Sequence, residues 1–409
     1  MASLRAIIAF VAFKNWAALQ GDADVAFVQA LMEKGILLFT DQPPGYEDGT
    51  DDKQLLLRAL YGFKQSALAW YRRNRKIMIA LGFRPSALDP CVYVRGSGDD
   101  IYIMEIVATY VDDFVVVAKT AAKADAVMDQ LEAKIKMKRQ GDVHFFLGIK
   151  VVRDRDAGTI TLSQEAYACK VWERFGMANC AGCNTPEVDE RDDLWHDDSQ
   201  PKADQELYRS IVGNLLYLMT YTRPDLAHAV QRLSRHLYDL REPHMVGAKR
   251  VLRYVKQTAS AGITFKGGMR FLAGTATQAG RRGPTKSTSG MICFVGSGAV
   301  AWRSSRQRTV ALSTLRGRVH RPRRARQGAP WLRGFLQEQG LAQKTTAAHC
   351  DNKSAIATGE TDAVTERSKH IDVRLHFIRD CGRRDQGALR TDGRPTGGRH
   401  DQGVYSTHD

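Results

Sequence analysis

The segment Ile101–Thr120 reads IYIMEIVATYVDDFVVVAKT, with β-branched and aromatic runs on either side of Asp112 and Asp113. That pattern predicts a β-hairpin with its turn at or next to the two acids. Adjacent carboxylates between apolar strands repel each other and lose hydration, which costs free energy unless a cation offsets the charge. A hard divalent metal is the natural counter-ion, although Asp is also a common turn residue and the dipeptide alone reads as a surface turn as well. A second acidic group lies upstream in Gly21-Asp22-Ala23-Asp24-Val25-Ala26-Phe27, after an apolar stretch of helical character and ahead of an expected short strand. Three carboxylates from two separate strands would make a two-metal site for phosphoryl transfer. One ion lowers the pKa of an attacking hydroxyl and the other neutralises the leaving pyrophosphate oxygens. Mg²⁺ suits such a site because it binds few protein carboxylates and keeps waters and substrate phosphates as its other ligands.

Holding such a centre in place takes a packed core, and the composition allows one. The chain has 409 residues, 43% hydrophobic and 26% charged, which is ordinary for a globular protein and long enough for two or three domains. Wholesale disorder, a collagen-like fibre and a disulfide miniprotein are excluded. Apolar runs such as Ala6–Phe13 fall far short of the roughly 18 to 20 residues of a membrane-spanning helix, so no membrane partner is expected. Lys14 and Trp16 interrupt the first apolar stretch, and Met1–Gln20 reads as a core helix rather than a signal peptide. Seven scattered cysteines argue against a disulfide framework and for a reducing, cytoplasmic or nuclear compartment. Cys180 and Cys183 form a single CxxC, too little for a zinc site.

Formal charge is +15, and an excess of that size points to nucleic acid. Its distribution weakens the inference. From Phe271 onward lie 24 Lys and Arg against 11 Asp and Glu, and no acid occurs between Glu242 and Glu338. Arginine supplies 20 of those 24 cations, bunched in Gly/Arg-rich stretches at 316–328 and 381–400 where hydrophobic periodicity disappears.

Between the two acid groups stand Leu60-Tyr61-Gly62-Phe63-Lys64-Gln65-Ser66-Ala67-Leu68-Ala69-Trp70-Tyr71, a helical stretch Arg72–Leu81 and the turn Asp89-Pro90-Cys91-Val92-Tyr93. These residues, with YVDD at 110–113, Phe145-Phe146-Leu147-Gly148-Ile149 and Leu162-Ser163-Gln164-Glu165-Ala166-Tyr167, resemble the reverse transcriptase of copia-type retrotransposon polyproteins. The resemblance implies an RNA-directed DNA polymerase that extends a primer on an RNA or DNA template with deoxynucleoside triphosphates. It implies that Asp22, Asp112 and Asp113 are catalytic and hold two Mg²⁺ ions at the primer 3′ end. Tyr110 and Val111 would lie beside the primer terminus and the nucleotide. Gly62 and Gln65 would lie near the incoming nucleotide and template, and Phe146, Leu147 and Gly148 would grip the primer strand. Ala67 stands where the family usually has proline, so a small loss of loop rigidity is expected. Asp24, two residues before the Ala-Phe pair, is expected to be a solvated neighbour of Asp22. The basic face Arg72, Arg73, Arg75 and Lys76 reads either as a phosphate contact or as a solvated helix face. Trp70 and Tyr71 read as core rather than as a stacking platform.

The implied fold is α+β: a palm with an antiparallel sheet plus helices, a thumb and connection, then an α/β ribonuclease H-like domain. Expected boundaries are 1–162 for palm and partial fingers, 163–265 for thumb and connection, 266–380 for the ribonuclease H-like part and 381–409 for a disordered tail. Thr222-Arg223-Pro224-Asp225 predicts a helix start with threonine as cap, followed by an apolar face of Leu226, Val230, Leu233 and Leu237. The middle region shows no acid, base or nucleophile arrangement. Further on, Lys286-Ser287-Thr288-Ser289-Gly290, Val310-Ala311-Leu312-Ser313-Thr314 and Cys350-Asp351-Asn352-Lys353-Ser354 resemble the ribonuclease H domain that follows such polymerases. Where that family carries its first two acids, this chain reads Gly274-Thr275-Ala276-Thr277-Gln278-Ala279-Gly280 and Leu315-Arg316-Gly317-Arg318. Asp351 alone survives as a plausible ligand, and ribonuclease activity is expected to be lost. Between Thr314 and Trp331 the family spacing is kept while its residues are replaced, which is how a GC-rich gene looks when read out of frame. Disorder is expected around 315–330 and after Asp380. Family strands ahead of the Asp22 segment are not found before it here, so weak or absent polymerase chemistry is a further expectation. The alternative function is a non-enzymatic nucleic-acid-binding remnant of the polyprotein.

Overall fold

The computed structural model describes residues 1–32, 35–50, 52–96, 103–187, 199–266, 272–279, 288–306, 328, 331–341, 345–350 and 403–408. The chain divides into two compact units, one of Lys14–Leu147 with Glu338–Gly340, the other of Met1–Phe13, Gly148–Gln337 and Leu341–Asp409. It opens with α1 (Ala2–Lys14), in which every residue from Ala6 to Ala12 is buried. A helix apolar nearly all round belongs inside a core. It stops where Asn15 takes φ 53°, a left-handed conformation that asparagine tolerates better than most residues.

The first unit contains, in chain order, β1 (Ala17–Ala23), α2 (Ala26–Gln29), β2 (Phe39–Thr40), β3 (Gln54–Leu55), α3 (Lys64–Ala80), β4 (Arg84–Pro85), β5 (Val92–Gly96), β6 (Ile103–Tyr110), β7 (Asp113–Ala118), α4 (Ala121–Glu132), β8 (Met137–Asp142) and β9 (Phe145–Phe146). Six strands form an antiparallel sheet in the order β4-β5-β6-β7-β1-β8, so β1 runs between β7 and β8. In β7, Phe114, Val115, Val116, Val117 and Ala118 are all fully buried, and a strand covered on both faces reads as a continuous apolar run. Helix α4 packs on β1 and β7 through Ala124, Val127, Met128 and Leu131, the 3–4 spacing of one helix face. Its first turn is capped by Thr120, whose hydroxyl accepts the Lys123 N–H at 3.3 Å.

The expected hairpin is present, with Tyr110 paired to Asp113 across a two-residue loop of Val111 and Asp112. Three local expectations are corrected. The apolar opening is not one helix to Gln20: Ala17, Ala18, Leu19 and Gln20 form the buried start of β1. Asp22 therefore lies within a strand, and helix α2 follows it instead of a second strand. A short strand buried on both faces cannot be told from a buried helix by periodicity. Ala67 lies inside α3, so the missing proline leaves a helical turn and not a softened loop.

In the second unit come β10 (Ile149–Asp154), β11 (Thr159–Ser163), α5 (Glu165–Arg174), α6 (Gln205–Tyr221), α7 (Ala227–Leu233), α8 (Glu242–Gln257), β12 (Ile263–Lys266), β13 (Leu272–Ala279), β14 (Thr288–Val295), β15 (Gly298–Arg306), β16 (Thr345–Cys350) and β17 (Gly403–His408). Helices α5 to α8 share a core that includes Val171, Tyr208, Leu215, Val230 and Leu252. Leu226, Val230 and Leu233 are buried as their spacing predicted, and Leu237 packs at the margin. Thr222 is not the N-cap expected of it. It ends α6 as the C-cap, and its hydroxyl donates to Gln164 Oε1 at 2.8 Å. Arg223 is buried and donates to Asp225 and to the Thr258 carbonyl, so the connection between α6 and α7 is tied to the end of α8.

Strands β10, β11 and β12 pair antiparallel, while β13 to β17 form a mixed sheet in the order β15-β14-β13-β16-β17 with β13 and β16 parallel. Buried Arg5 of α1 donates to the Val300 carbonyl of β15 at 2.6 Å and to the Thr220 and Tyr221 carbonyls at the end of α6. Its guanidinium lies 3.9 Å from the Trp302 ring centroid. Helices and antiparallel sheets together make the chain α+β, as the sequence implied. No helix among the described residues is long and apolar enough to cross a membrane. Asp351, the segments 315–318 and 390–400, and most of the stretches expected to be disordered lie outside the described residues, but the expected disordered tail is corrected at 403–408, which form β17 and pair antiparallel with β16.

Candidate active site

Asp22 of β1 and Asp113 of β7 are direct cross-strand partners in the antiparallel register. Asp112 precedes Asp113 in the hairpin turn, where Val111 holds φ 56° and the Asp112 carbonyl accepts the Ala23 N–H at 2.7 Å. The turn is thus bonded to the end of β1, and three carboxyls from two strands are gathered at one end of the sheet.

Their charges act on one another. Burial, then Asp22 and Asp112, push the Asp113 carboxyl up to about 6. Burial, then Asp112 and Asp24, also raise Asp22, while Lys138 across the strand pair on β8 opposes that rise. Asp24 differs from the solvated neighbour expected of it: it is part-buried and lies 3.8 Å from both Lys136 and Lys138. On Asp112, Oδ2 accepts the Tyr61 hydroxyl at 3.0 Å, and Oδ1 is buried with no hydrogen-bond partner. Burial comes first, and the bond to Asp112 second, in raising the Tyr61 hydroxyl above the ordinary tyrosine range.

Among the described residues, no three His, Cys, Asp or Glu side chains converge as a ready-made metal site. The donor chemistry still fits a hard cation. The groups are carboxylates, ionisation of Asp22 and Asp113 is opposed by burial and by their acidic neighbours, and one buried oxygen of Asp112 lacks a partner, a state that costs about 1–3 kcal/mol until something binds it. Mg²⁺ needs only one or two protein carboxylates when substrate phosphates and waters complete its shell.

Asp113 makes stability depend on pH. Its folded-state value lies above that of the unfolded chain, so the native state holds the proton more tightly. That contribution is complete only below the unfolded value of 3.8 and is lost as pH rises through about 6. Because the group is half-exposed, screening reduces the effect to about 1 kcal/mol. Asp113→Asn is therefore expected to melt about 2–4 °C higher than the parent at pH 7 in EDTA, and no higher at pH 4. Thermal melts at the two pH values check this, and an equal difference at both would refute the assignment.

The remaining residues singled out in the sequence fall into two groups. Tyr110, 53% exposed, and Val111, 42% exposed, flank the acids at the open end of the hairpin. Gly62 is exposed with φ +96° and nothing near its missing Cβ, and Gln65 is exposed in the first turn of α3. Phe146 is buried and Leu147 holds φ 51°. Gly148 begins the other unit with φ +76°, and a Cβ there would stand 2.1 Å from the Tyr217 hydroxyl. The carbonyl of Phe145 accepts from Gln20 at 2.7 Å, two residues before Asp22 on β1. Arg72, Arg75 and Lys76 are exposed, and Arg73 donates to the Lys134 carbonyl.

Two contributors were not assigned a role from the sequence. Tyr61, beside Gly62, contacts the acid centre itself. Trp70 is buried as expected, and its indole N–H also donates to the Val111 carbonyl at 2.7 Å, pinning the turn to α3. Both sit inside the quoted Leu60–Tyr71 segment, but nothing in residue type or spacing reveals which backbone or carboxyl atom they would reach.

These features define an α+β protein with a carboxylate centre at the end of an antiparallel sheet. Residues 1–189 match the reverse transcriptase (RNA-dependent DNA polymerase) family profile. The Pol polyprotein of transposon TNT 1-94 from Nicotiana tabacum is 33% identical over 389 residues, which is 93% of this chain and 29% of that protein. A transposon Ty5-1 protein of Saccharomyces cerevisiae is 30% identical over 295 residues, covering 71% of this chain and 93% of its own length. A solved foamy viral protease–reverse transcriptase, in complex with double-stranded DNA, aligns with a TM-score of 0.49 at 12% identity over 89% of this chain and 55% of that one. The chain belongs to the reverse transcriptase (RNA-dependent DNA polymerase) family of copia-type retrotransposon Pol polyproteins. It spans less than a third of the polyproteins it matches from Nicotiana tabacum and Arabidopsis thaliana.

Proposed function

We propose that this chain adds deoxynucleotides to the 3′ end of a primer paired to an RNA or DNA template, with Asp22, Asp112 and Asp113 as the metal-holding acids. The observation that carries the reading is the cross-strand pairing of Asp22 with Asp113, next to a turn residue whose buried Oδ1 has no partner. Two Mg²⁺ ions held there would activate the primer hydroxyl and neutralise the departing pyrophosphate. The chain's own part is to hold three carboxylates in fixed register, through the β1–β7 ladder and the bonds from Ala23 and Trp70 to the turn. Exposed Tyr110 and Val111 border the primer terminus, Gly62 and Gln65 the nucleotide and template, and Phe146, Leu147 and Gly148 the primer strand.

In this reading, residues 1–162 are palm and partial fingers, 163–265 thumb and connection, and 266–380 a ribonuclease H-like part. The mixed sheet β13 to β17 supports the last assignment, and the acid-free sequence of β13 supports loss of its nuclease function. The test is primer extension on an RNA template by the full chain in Mg²⁺, where the parent extends and Asp112→Ala does not. Salt-sensitive duplex binding without extension, unchanged by that substitution, would instead identify a nucleic-acid-binding remnant.

A further inference from the structure

Tyr61 and the hairpin turn are braced from one helix. Ser66, in the first turn of α3, donates its hydroxyl to the Leu60 carbonyl at 2.5 Å and accepts the Leu60 N–H at 3.1 Å, fixing the backbone next to Tyr61. One helical turn on, Trp70 holds the Val111 carbonyl, fixing the backbone next to Asp112. Between these two anchors the Tyr61 ring packs on Phe27, with centroids 4.5 Å apart. Its hydroxyl reaches Asp112 Oδ2 at 3.0 Å. A side chain whose backbone and ring are both held, and whose hydroxyl meets one oxygen of a carboxylate, sets that carboxylate's rotation.

We propose that Tyr61 is a positioning residue for a divalent cation: its hydroxyl holds Oδ2 of Asp112, so that Oδ1, left without a protein partner, is the oxygen offered to the ion. The inference rests on the carboxylate-centre reading above and adds a named residue outside the acid triad to it. Partners that orient a metal-binding side chain typically govern affinity by about 10- to 100-fold.

Binding of Mn²⁺ to the full chain, followed through the electron paramagnetic resonance signal of the free ion, provides a readout that needs no catalytic turnover. Tyr61→Phe keeps the ring and its stacking on Phe27 but removes the donor. It is expected to raise the Mn²⁺ dissociation constant about tenfold with the melting temperature unchanged. Phe27→Leu keeps the hydroxyl and is expected to weaken binding much less. Unchanged affinity in Tyr61→Phe, with binding lost in Asp112→Ala, would overturn the positioning role and leave the carboxylate centre standing. Tighter binding in Tyr61→Phe would overturn it too, because the hydroxyl would then be a competitor for the ion. Equal losses in Phe27→Leu and Tyr61→Phe would reduce Tyr61 to packing. Undiminished binding in Asp112→Ala would remove both this inference and the site reading beneath it.

Discussion

Replacing Asp22 by asparagine is expected to cut primer extension by about 10³-fold or more while raising the melting temperature of the unliganded protein. The two shapes are nearly identical, so the substitution changes charge and little else. Without a cation, Asp22 faces Asp113 across the ladder with Asp112 alongside, and burial together with that repulsion disfavours its ionised form. Neutralising it relieves the folded state of that repulsion, an effect reduced by solvent screening. In the proposed reaction the same change would remove an anionic oxygen from the place where a cation would offset developing charge. A 10³-fold loss corresponds to about 4 kcal/mol of transition-state stabilisation. The two effects carry opposite signs, which separates them from a general folding defect. Melting and extension measured on one preparation decide the matter, and a variant that melts lower as it loses activity would sink the assignment.

The second large effect is expected at Trp70. Its indole is 3% exposed within a core shared with Trp70's neighbours Ala69 and Met78 and with Phe114 and Val116 of β7. Trp70→Ala is expected to cost about 3–5 kcal/mol through lost burial and the cavity left behind. The lost bond to the Val111 carbonyl adds to this by releasing the turn that carries Asp112. Trp70→Phe keeps most of the burial and loses chiefly the donor, a change of about 1 kcal/mol. Hydrogen exchange at the β7 amides reads both losses directly. Protection there should fall by roughly 10²-fold or more in the alanine variant, as 3 kcal/mol requires, and by about fivefold with phenylalanine. Equal protection in the two variants would show that Trp70 burial does not hold this unit together.

The hairpin and its acids were legible because alternation, β-branching and an acidic turn all point to the same element. The boundary between α1 and β1 was not. Ala17, Ala18 and Leu19 are buried on a central strand and carry no period that separates them from the helix before them. Thr222 was misread for a related reason: threonine before Arg-Pro-Asp has the chemistry of an N-cap, but the preceding helix runs up to Tyr221 and its hydroxyl finds Gln164. The three aspartates that the fold gathers at one end of the sheet could be named from the sequence, whereas the contacts of Tyr61 and Trp70 could not. Those contacts are single bonds to residues 51 and 41 positions away. Long-range hydrogen bonds leave no local pattern.

The bond between Arg5 and the carbonyl of residue 300 carries a consequence for how the protein is made. A ribosome adding about 5–20 residues per second needs roughly 15 to 60 s to travel from one end of that contact to the other. Throughout that interval the apolar segment Ala2–Lys14 is without the strand that Arg5 will bond to. Meanwhile the sheet that carries the three aspartates draws its strands from Ala17 to Asp142, all synthesised well before Val300. That sheet can therefore be complete while the first segment still waits, exposed to chaperones and to other nascent chains, for a strand not yet translated.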